Sequence, residues 1–301
     1  MRLRKKFKSL YRHVIQTVAI WNDANASAMG AAVAFYTIFA IAPLFILVLA
    51  LAGLIFGHTA AQHELFGQIE QLIGKNGSES IQSILRAADQ PRAGLFATAI
   101  GFITLFVGAS SVFIQLQQSL NAIWNVRPKS SGIRSFVRYR LLSFAALLAI
   151  GFLLLVSLII SAVLDAAEKW MAGSNSAYQI LWNIVDLGVS LGVITLLFAM
   201  IFKMLPDIEI AWRTVWMGSF VTAILFTIGK FLLGAYLGRT SLSSAYGAAG
   251  SFVVVLLWVY YSAQILLLGA ASTRVYAQSR GHEVHPASNA QVAQKSSKPM
   301  K

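Results

Sequence analysis

The 301-residue chain is 57% hydrophobic and only 12% charged, and it contains no cysteine. Soluble domains carry about 25% charged residues, so this composition excludes an ordinary water-soluble protein. The lack of cysteine excludes disulfides, thiolate catalysis and cysteine-ligated metals. A net charge of +13 would suit nucleic-acid binding, but the basic residues lie between long apolar runs instead of in one polar domain. We therefore expect membrane lipids as the partner, especially an anionic cytoplasmic leaflet, and no nucleic acid.

The N-terminal segment combines apolar and basic residues. Apolar residues recur at helical spacing from Leu3 to Trp21, and six Lys and Arg lie between Arg2 and Arg12 in the same segment. This pattern predicts a basic amphipathic helix in residues 1–30 that lies on the cytoplasmic surface of an anionic membrane. A topological anchor without regulated lipid binding would explain the same pattern.

Six apolar runs follow. A helix needs about 20 apolar residues to cross a hydrocarbon core about 30 Å thick. We predict an all-α polytopic membrane protein, a compact bundle of six transmembrane helices within residues 31–273. The predicted spans are 31–56, 95–116, 141–164, 182–202, 212–237 and 250–273. The tail, 274–301, is rich in Ser, Gln, Ala and Lys, so we expect it to be disordered.

The basic residues are distributed unevenly between the two sides of these spans. With six spans, 18 Lys and Arg lie on the side of the termini and five lie on the other side. Because Lys and Arg are retained on the cytoplasmic side, both termini are predicted to be cytoplasmic.

Two charged residues lie well within the predicted spans, Asp186 in the fourth and Lys230 in the fifth. Each lies 22 residues from Ile208, near the centre of the connecting turn, so antiparallel helices would place them at similar depth. One interpretation is an ion pair or a shared polar path, because charge inside a membrane is costly. The alternative is that Lys230 extends to the interface and Asp186 caps its helix.

The sequence offers no catalytic or metal-binding constellation. The histidines lie outside the spans and lack the His-Glu-x-x-His spacing of zinc sites. Asp207 and Glu209 follow Pro206 in a short turn, where they are predicted to place negative charge at the start of the fifth helix. We therefore expect no enzyme, cofactor or metal. Pro43 should kink or break the first span.

Residues 31–44, AAVAFYTIFAIAPL, resemble the opening of the YihY/BrkB family of bacterial inner-membrane proteins, historically labelled ribonuclease BN. Further motif positions agree in order. The positions carried by the resemblance are Pro43, Asn121, Asn125, Arg134, Arg138, Pro206, Tyr246, Gly247, Gly250, Trp258 and Gly269. Ala40 and Ala271 depart from it, where serine and glutamate are expected. The resemblance implies a six-span inner-membrane protein of poorly defined activity and supplies no catalytic residue.

Three functional hypotheses remain. The first is transport of an ion, lipid or amphiphile, or a role in envelope homeostasis, with a polar path near Asp186, Lys230 and residues 240–246. The second is a membrane scaffold that binds envelope proteins through its outer loop and the basic segment 127–140. The third, an RNA-cleaving enzyme, is disfavoured because topology already explains the basic loops. Any of them is compatible with a homo-oligomer.

Overall fold

The computed structural model describes residues 2–57, 111–129, 176–239, 250–281 and 284–293, with a few isolated positions between 59 and 82. The helices are α1 (Arg2–Asp23), α2 (Ala26–Phe56), α3 (described over 111–124), α4 (Ser176–Met204), α5 (Trp212–Arg239) and α6 (Gly250–Ser279). The strands are β1 (Val126–Pro128), β2 (Ile208–Glu209), β3 (His285–Pro286) and β4 (Ala290–Val292). The predicted span 141–164 and most of 95–116 lie outside the described residues.

Three helices in the described ranges are long and apolar enough to cross a membrane. Their apolar stretches are Leu187–Met204, Trp212–Leu233 and Val253–Ser279. A shorter apolar stretch, Ala26–Ile38, begins α2. The prediction of a mainly helical membrane protein is confirmed, whereas the number of six spans stays a prediction.

The N-terminal segment differs from the single unit predicted for residues 1–30. The first helix ends at Asp23, and α2 already begins at Ala26. Asn25 joins them with a left-handed φ of 52°, a conformation that asparagine tolerates better than most residues. Helix α2 then continues through Pro43, so the helix does not break at this proline. Membrane helices tolerate proline where neighbouring groups compensate for the lost hydrogen bond.

Helices α5 and α6 meet at two reciprocal contacts between glycine and threonine. Gly218 of α5 lies against Thr273, and Gly269 of α6 lies against Thr222. The Thr222 hydroxyl donates to the Gly218 carbonyl at 2.7 Å, and the Thr273 hydroxyl donates to the Gly269 carbonyl at 2.7 Å. Both hydroxyls are thus satisfied within their own helix, and the small residues let the two backbones approach closely.

Aromatic rings connect the three long helices. Phe198 of α4 meets Phe226 of α5 edge to face, with ring centroids 5.7 Å apart. Phe226 meets Trp258 of α6 in the same manner at 5.6 Å. Edge-to-face contacts are favourable arrangements of aromatic quadrupoles, so this chain of rings fixes how α4, α5 and α6 face one another.

Helices α1 and α2 both pack on α6. The amide of Gln264 lies beside Gly30 and donates to the carbonyl of Ser27 at 3.3 Å. The Ser27 hydroxyl and the Tyr260 hydroxyl are 3.0 Å apart. In α1, His13 Nε2 lies 3.0 Å from the Ser272 hydroxyl. These polar contacts hold the first two helices along the last one.

The C-terminal tail folds back onto two turns of the chain. Strand β3 pairs with β2, and β4 pairs with β1, both antiparallel. A turn closed by Ala290 N–H donating to Ala287 C=O at 2.8 Å separates β3 from β4. The tail therefore connects the end of α3 to the turn between α4 and α5.

The prediction of a disordered tail is wrong for the described part of 274–301. Helix α6 continues to Ser279, and residues 284–293 are folded. The amino-acid composition indicates how much apolar surface a segment can bury. This segment is instead held in place by hydrogen bonds to backbone groups that are far away in the sequence. Its register supports this reading, because Pro128 opposes Ala290 and Pro286 opposes Ile208. Both prolines lie at pairs that exchange no backbone hydrogen bonds, where a missing N–H costs nothing.

We predict that Gly218→Ala and Gly269→Ala each destabilise the protein by about 1–3 kcal/mol, the usual cost of overpacking. A methyl group at either position would overlap the facing threonine. The matched control is Gly192→Ala in α4, where an added Cβ meets nothing within 4 Å. Thermal unfolding in detergent measures the effect. Equal melting temperatures for Gly218→Ala and Gly192→Ala would contradict the packing described.

Candidate functional site

The two charges predicted inside the membrane lie on neighbouring helices. Lys230 is half-buried on α5, and its Nζ lies 5.4 Å from the centroid of the Phe231 ring. Asp186 belongs to α4, but its side chain lies outside the described residues. Helices α4 and α5 pack against each other. The pairing of the two charges stays a prediction.

The described structure also contains a buried carboxylate, Asp207, in the turn between α4 and α5. Its side chain accepts hydrogen bonds from Asn121 Nδ2 at 2.8 Å, Asn289 Nδ2 at 3.0 Å and Gln117 Nε2 at 3.4 Å. Its backbone N–H donates to Asn121 Oδ1 at 2.8 Å. Asp207 thereby joins α3, the α4–α5 turn and the tail. We call the surrounding region, residues 117–129, 205–211 and 284–293, the polar end of the molecule.

Backbone contacts reinforce the polar end. The Asp207 carbonyl accepts from Ala287 N–H at 3.0 Å, and the Asn125 carbonyl accepts from Ala293 N–H at 2.9 Å. Lys203, in the last turn of α4, donates from Nζ to the Ile210 carbonyl at 2.6 Å. A cation near a helix C-terminus also interacts favourably with the helix dipole. The turn is therefore held from both α4 and the tail.

This environment corrects the role predicted for Asp207. No acidic residue lies in the first turn of α5, and the Asp207 carboxylate is occupied by amides of α3 and the tail. Burying an ionised carboxylate is favourable only when hydrogen-bond donors surround it. Three side-chain amides from the described residues donate to the carboxylate, and this geometry is that of a structural anchor. The described residues contain no group of three His, Asp or Glu side chains able to hold a metal.

Several motif positions of the family resemblance have structural places. Asn121 binds Asp207 through both the nitrogen and the oxygen of its side-chain amide. Asn125 takes a left-handed φ of 57° in the turn between α3 and β1. Pro206 is buried beside Asp207, and its carbonyl accepts from Ile208 N–H at 2.8 Å. Trp258 and Gly269 belong to the helix contacts described above.

The remaining motif positions give less information. Gly250 is the first residue of α6. The side chain of Pro43 and all of Arg134, Arg138, Tyr246 and Gly247 lie outside the described residues, as does the segment 240–246.

Sequence reasoning missed three contributors, Gly218, Arg274 and Asn289. Gly218 and Thr222 form a pattern of small residues four apart, which could have been recognised as a helix contact. Arg274 was counted only as a topological charge, although its guanidinium donates to the Ile123 carbonyl at 2.6 Å. Asn289 had no detectable signal, because it lies 82 residues from Asp207 in a polar segment.

We predict that Asp207→Ala lowers the free energy of unfolding by about 3 kcal/mol, because it leaves buried amide donors without their acceptor. Glu209→Ala is the matched control, since Glu209 is exposed and should change stability by less than about 0.5 kcal/mol. Chemical unfolding in mild detergent, followed by intrinsic fluorescence, measures both. Similar values for the two variants would show that Asp207 does not anchor the polar end.

Comparison with known proteins agrees with this architecture. The virulence factor BrkB family matches residues 17–294. A UPF0761 membrane protein of Ralstonia nicotianae is 30% identical over 66% of the chain and 43% of its own length. One of Pseudomonas paraeruginosa is 27% identical over 80% of the chain and 56% of its length.

The chain thus spans about half the length of these curated relatives. No solved structure matches it. The family predicted from residues 31–44 and the later motif positions is confirmed. The chain belongs to the virulence factor BrkB family of membrane proteins.

Proposed function

We propose that this chain is a six-span bacterial inner-membrane protein that moves an ion, lipid or amphiphile across the bilayer. The observation that carries the proposal is Lys230, a half-buried cation within the apolar stretch Trp212–Leu233. A charged side chain at such a position costs several kcal/mol by most measures, and it is typical of proteins that bind or conduct polar groups.

The positions of Asp186 and Lys230 along their helices support a shared polar path. Asp186 lies 18 residues before the end of α4 at Met204, and Lys230 lies 18 residues after the start of α5 at Trp212. At 1.5 Å per residue, each is about 27 Å along its helix from the connecting turn. Two opposite charges at equal height on adjacent helices are favourably placed to interact.

The contacts of the polar end support the proposed topology. The N-terminal segment, the second and fourth loops and the tail are all assigned to the cytoplasmic side by the distribution of basic residues. In agreement, parts of both loops and of the tail contact one another at the polar end. We therefore place the polar end and both termini in the cytoplasm.

The arrangement of α1 supports its role as an interfacial helix. It packs on α6, where His13 Nε2 lies 3.0 Å from the Ser272 hydroxyl, near the end of the apolar stretch Val253–Ser279. This contact would hold α1 at the membrane surface if α6 spans the bilayer. Exposed apolar side chains of α1, Leu10, Tyr11, Val14, Ile15 and Val18, would then enter the lipid interface.

Flux measurements in proteoliposomes test the transport proposal, with ions, lipids and amphiphiles as candidate substrates. We expect Asp186→Asn and Lys230→Gln each to lower the flux about tenfold, equivalent to about 1.4 kcal/mol in the barrier. The charge reversal, Asp186→Lys with Lys230→Asp, should restore part of the loss if the two groups attract each other. Arg213→Gln is the control, because it removes an exposed cation at the other end of the same helix.

Two results would contradict the proposal. One is the absence of flux for every substrate while the variants still complement a deletion strain. The other is an equal loss for Lys230→Gln and Arg213→Gln, since the polar path would then have no special role.

A scaffold is the second candidate. The polar end is a folded surface that exposes Arg127 and Lys129, so it could bind an acidic segment of an envelope partner. Loss of complementation in Arg127→Glu with Lys129→Glu, while folding and flux stay intact, would favour this function. An enzymatic role is not proposed. The basic residues are explained by topology, and the amides that donate to the buried Asp207 carboxylate give it a structural role.

The contact of α1 with α6 should depend on pH. Burial lowers the pKa of His13 from its ordinary value of 6.5. The unfolded protein therefore binds more protons than the folded protein just below pH 6.5, and stability falls as the pH decreases through that range. His13→Gln keeps a hydrogen-bonding group and removes the titration. We expect the wild type to lose more thermal stability than His13→Gln between pH 7.5 and 5.5. Parallel losses would show that His13 does not contribute.

A further inference from the structure

A cavity of about 490 Å³ opens at the polar end, where the end of α6, the end of α3 and the tail meet. Its lining includes Trp124, Val126, Arg274, Gln278 and Val292. Cavities of about 300–1,000 Å³ are typical of small-ligand sites. This cavity is therefore large enough for a small molecule or the polar part of a larger one.

Arg274 is the ionisable residue among the described residues of this lining, and its side chain is half-buried. Its single side-chain hydrogen bond to the described residues goes from Nη1 to the Ile123 carbonyl. A guanidinium has five N–H donors, and this bond uses one of them. The carboxylate of Asp23 interacts with Arg274 electrostatically and offsets part of its charge without occupying the donors.

The rest of the wall is largely apolar. Val126 and Val292 extend from the paired strands β1 and β4, and Trp124 adds its ring. The charge on this wall, among the described residues, is therefore the Arg274 cation. Such a wall suits a ligand that brings oxygen acceptors on an apolar body.

We propose that this cavity binds a phosphate group carried by a small amphiphile. The planar fork of an arginine matches two phosphate oxygens, which makes the contact both strong and directional. A phosphate alone would fill only part of the cavity, so the apolar walls receive the group attached to it. The site is separate from Asp186 and Lys230, and it does not depend on the transport proposal.

The phosphate could come from a membrane phospholipid or from a soluble compound. Arg274 and Gln278 lie in the last turns of the apolar stretch Val253–Ser279. If α6 spans the bilayer, the cavity lies at the depth of lipid headgroups. This position favours a phospholipid, and the shared chemistry in either case is a phosphate oxyanion.

Thermal stabilisation of the full chain in detergent tests the site with three probes. The probes are inorganic phosphate, dihexanoyl phosphatidylglycerol and, as the phosphate-free amphiphile, monohexanoyl glycerol. We expect the phosphatidylglycerol to raise the melting temperature and monohexanoyl glycerol to leave it unchanged. Stabilisation by phosphate as well would indicate that the oxyanion alone suffices and a soluble source is adequate. A response to phosphatidylglycerol alone would indicate a lipid source.

Two pairs of variants locate the effect. Arg274→Gln should raise the half-saturating concentration at least about tenfold. Arg280→Gln should leave it unchanged, because Arg280 is exposed, stacks on Tyr276 and does not line the cavity. Val292→Trp should block the cavity, whereas Gln291→Trp changes the neighbouring residue, which does not line it. The second pair keeps the test valid if Arg274→Gln does not fold.

The proposal is overturned if Arg274→Gln and Val292→Trp respond to the phosphate-bearing probes as the wild type does. It is also overturned if monohexanoyl glycerol stabilises the protein as well as the phosphatidylglycerol does. Either outcome would reduce the cavity to a nonspecific apolar recess.

Discussion

The buried carboxylate of Asp207 sets the arrangement of the polar end. A charge in this position must be surrounded by donors, and the chain provides them from two distant segments. Asn121 comes from the end of α3, and Asn289 comes from the tail. These hydrogen bonds hold the α4–α5 turn against α3 and hold the tail against the same turn. The short strands pair in the same region, β1 with β4 and β2 with β3.

The membrane-spanning part depends on a different constraint. Lipid is as apolar as the helix surfaces, so helices associate through close fit more than through the hydrophobic effect. The contacts of Gly218 with Thr273 and of Gly269 with Thr222 provide that fit between α5 and α6. The rings of Phe198, Phe226 and Trp258 extend it to α4. Together these contacts support the helix that carries Lys230. The same α6 carries Arg274 to the polar end, so the two proposed sites lie on one connected framework.

Sequence patterns were most informative where the physics is local. Long apolar runs predicted the helices that became α4, α5 and α6, because helical backbone in lipid satisfies its own hydrogen bonds. The family resemblance also selected Asn121, Pro206 and Gly269, which proved to lie at the polar end or in the helix contacts. The resemblance did not give their partners. Those partners depend on which segments meet in three dimensions.

The errors share one cause. Asp207 follows a proline just before a helix, so a helix-dipole role was the nearest local explanation. Its actual partner Asn121 is 86 residues away. The tail was predicted to be disordered because its composition is polar, yet its hydrogen-bond partners lie in residues 125–129 and 207–209. A single sequence does not reveal such long-range pairs. For the same reason, it does not reveal whether Asp186 and Lys230 interact.

The folding of the tail onto the polar end is tested most directly by cross-linking in native membranes. The chain has no cysteine, so any disulfide within it must join two cysteines that were introduced. Arg127 and Gln291 are directly opposed in the β1–β4 pair, within the Cα separation of about 4.4–6.8 Å that a disulfide requires. We predict that Arg127→Cys with Gln291→Cys forms a disulfide readily under mild oxidation, and that adding Asp207→Ala slows it. Arg127→Cys with Ser288→Cys is the out-of-register comparison. Equal rates for the two pairs, with no effect of Asp207→Ala, would contradict the account.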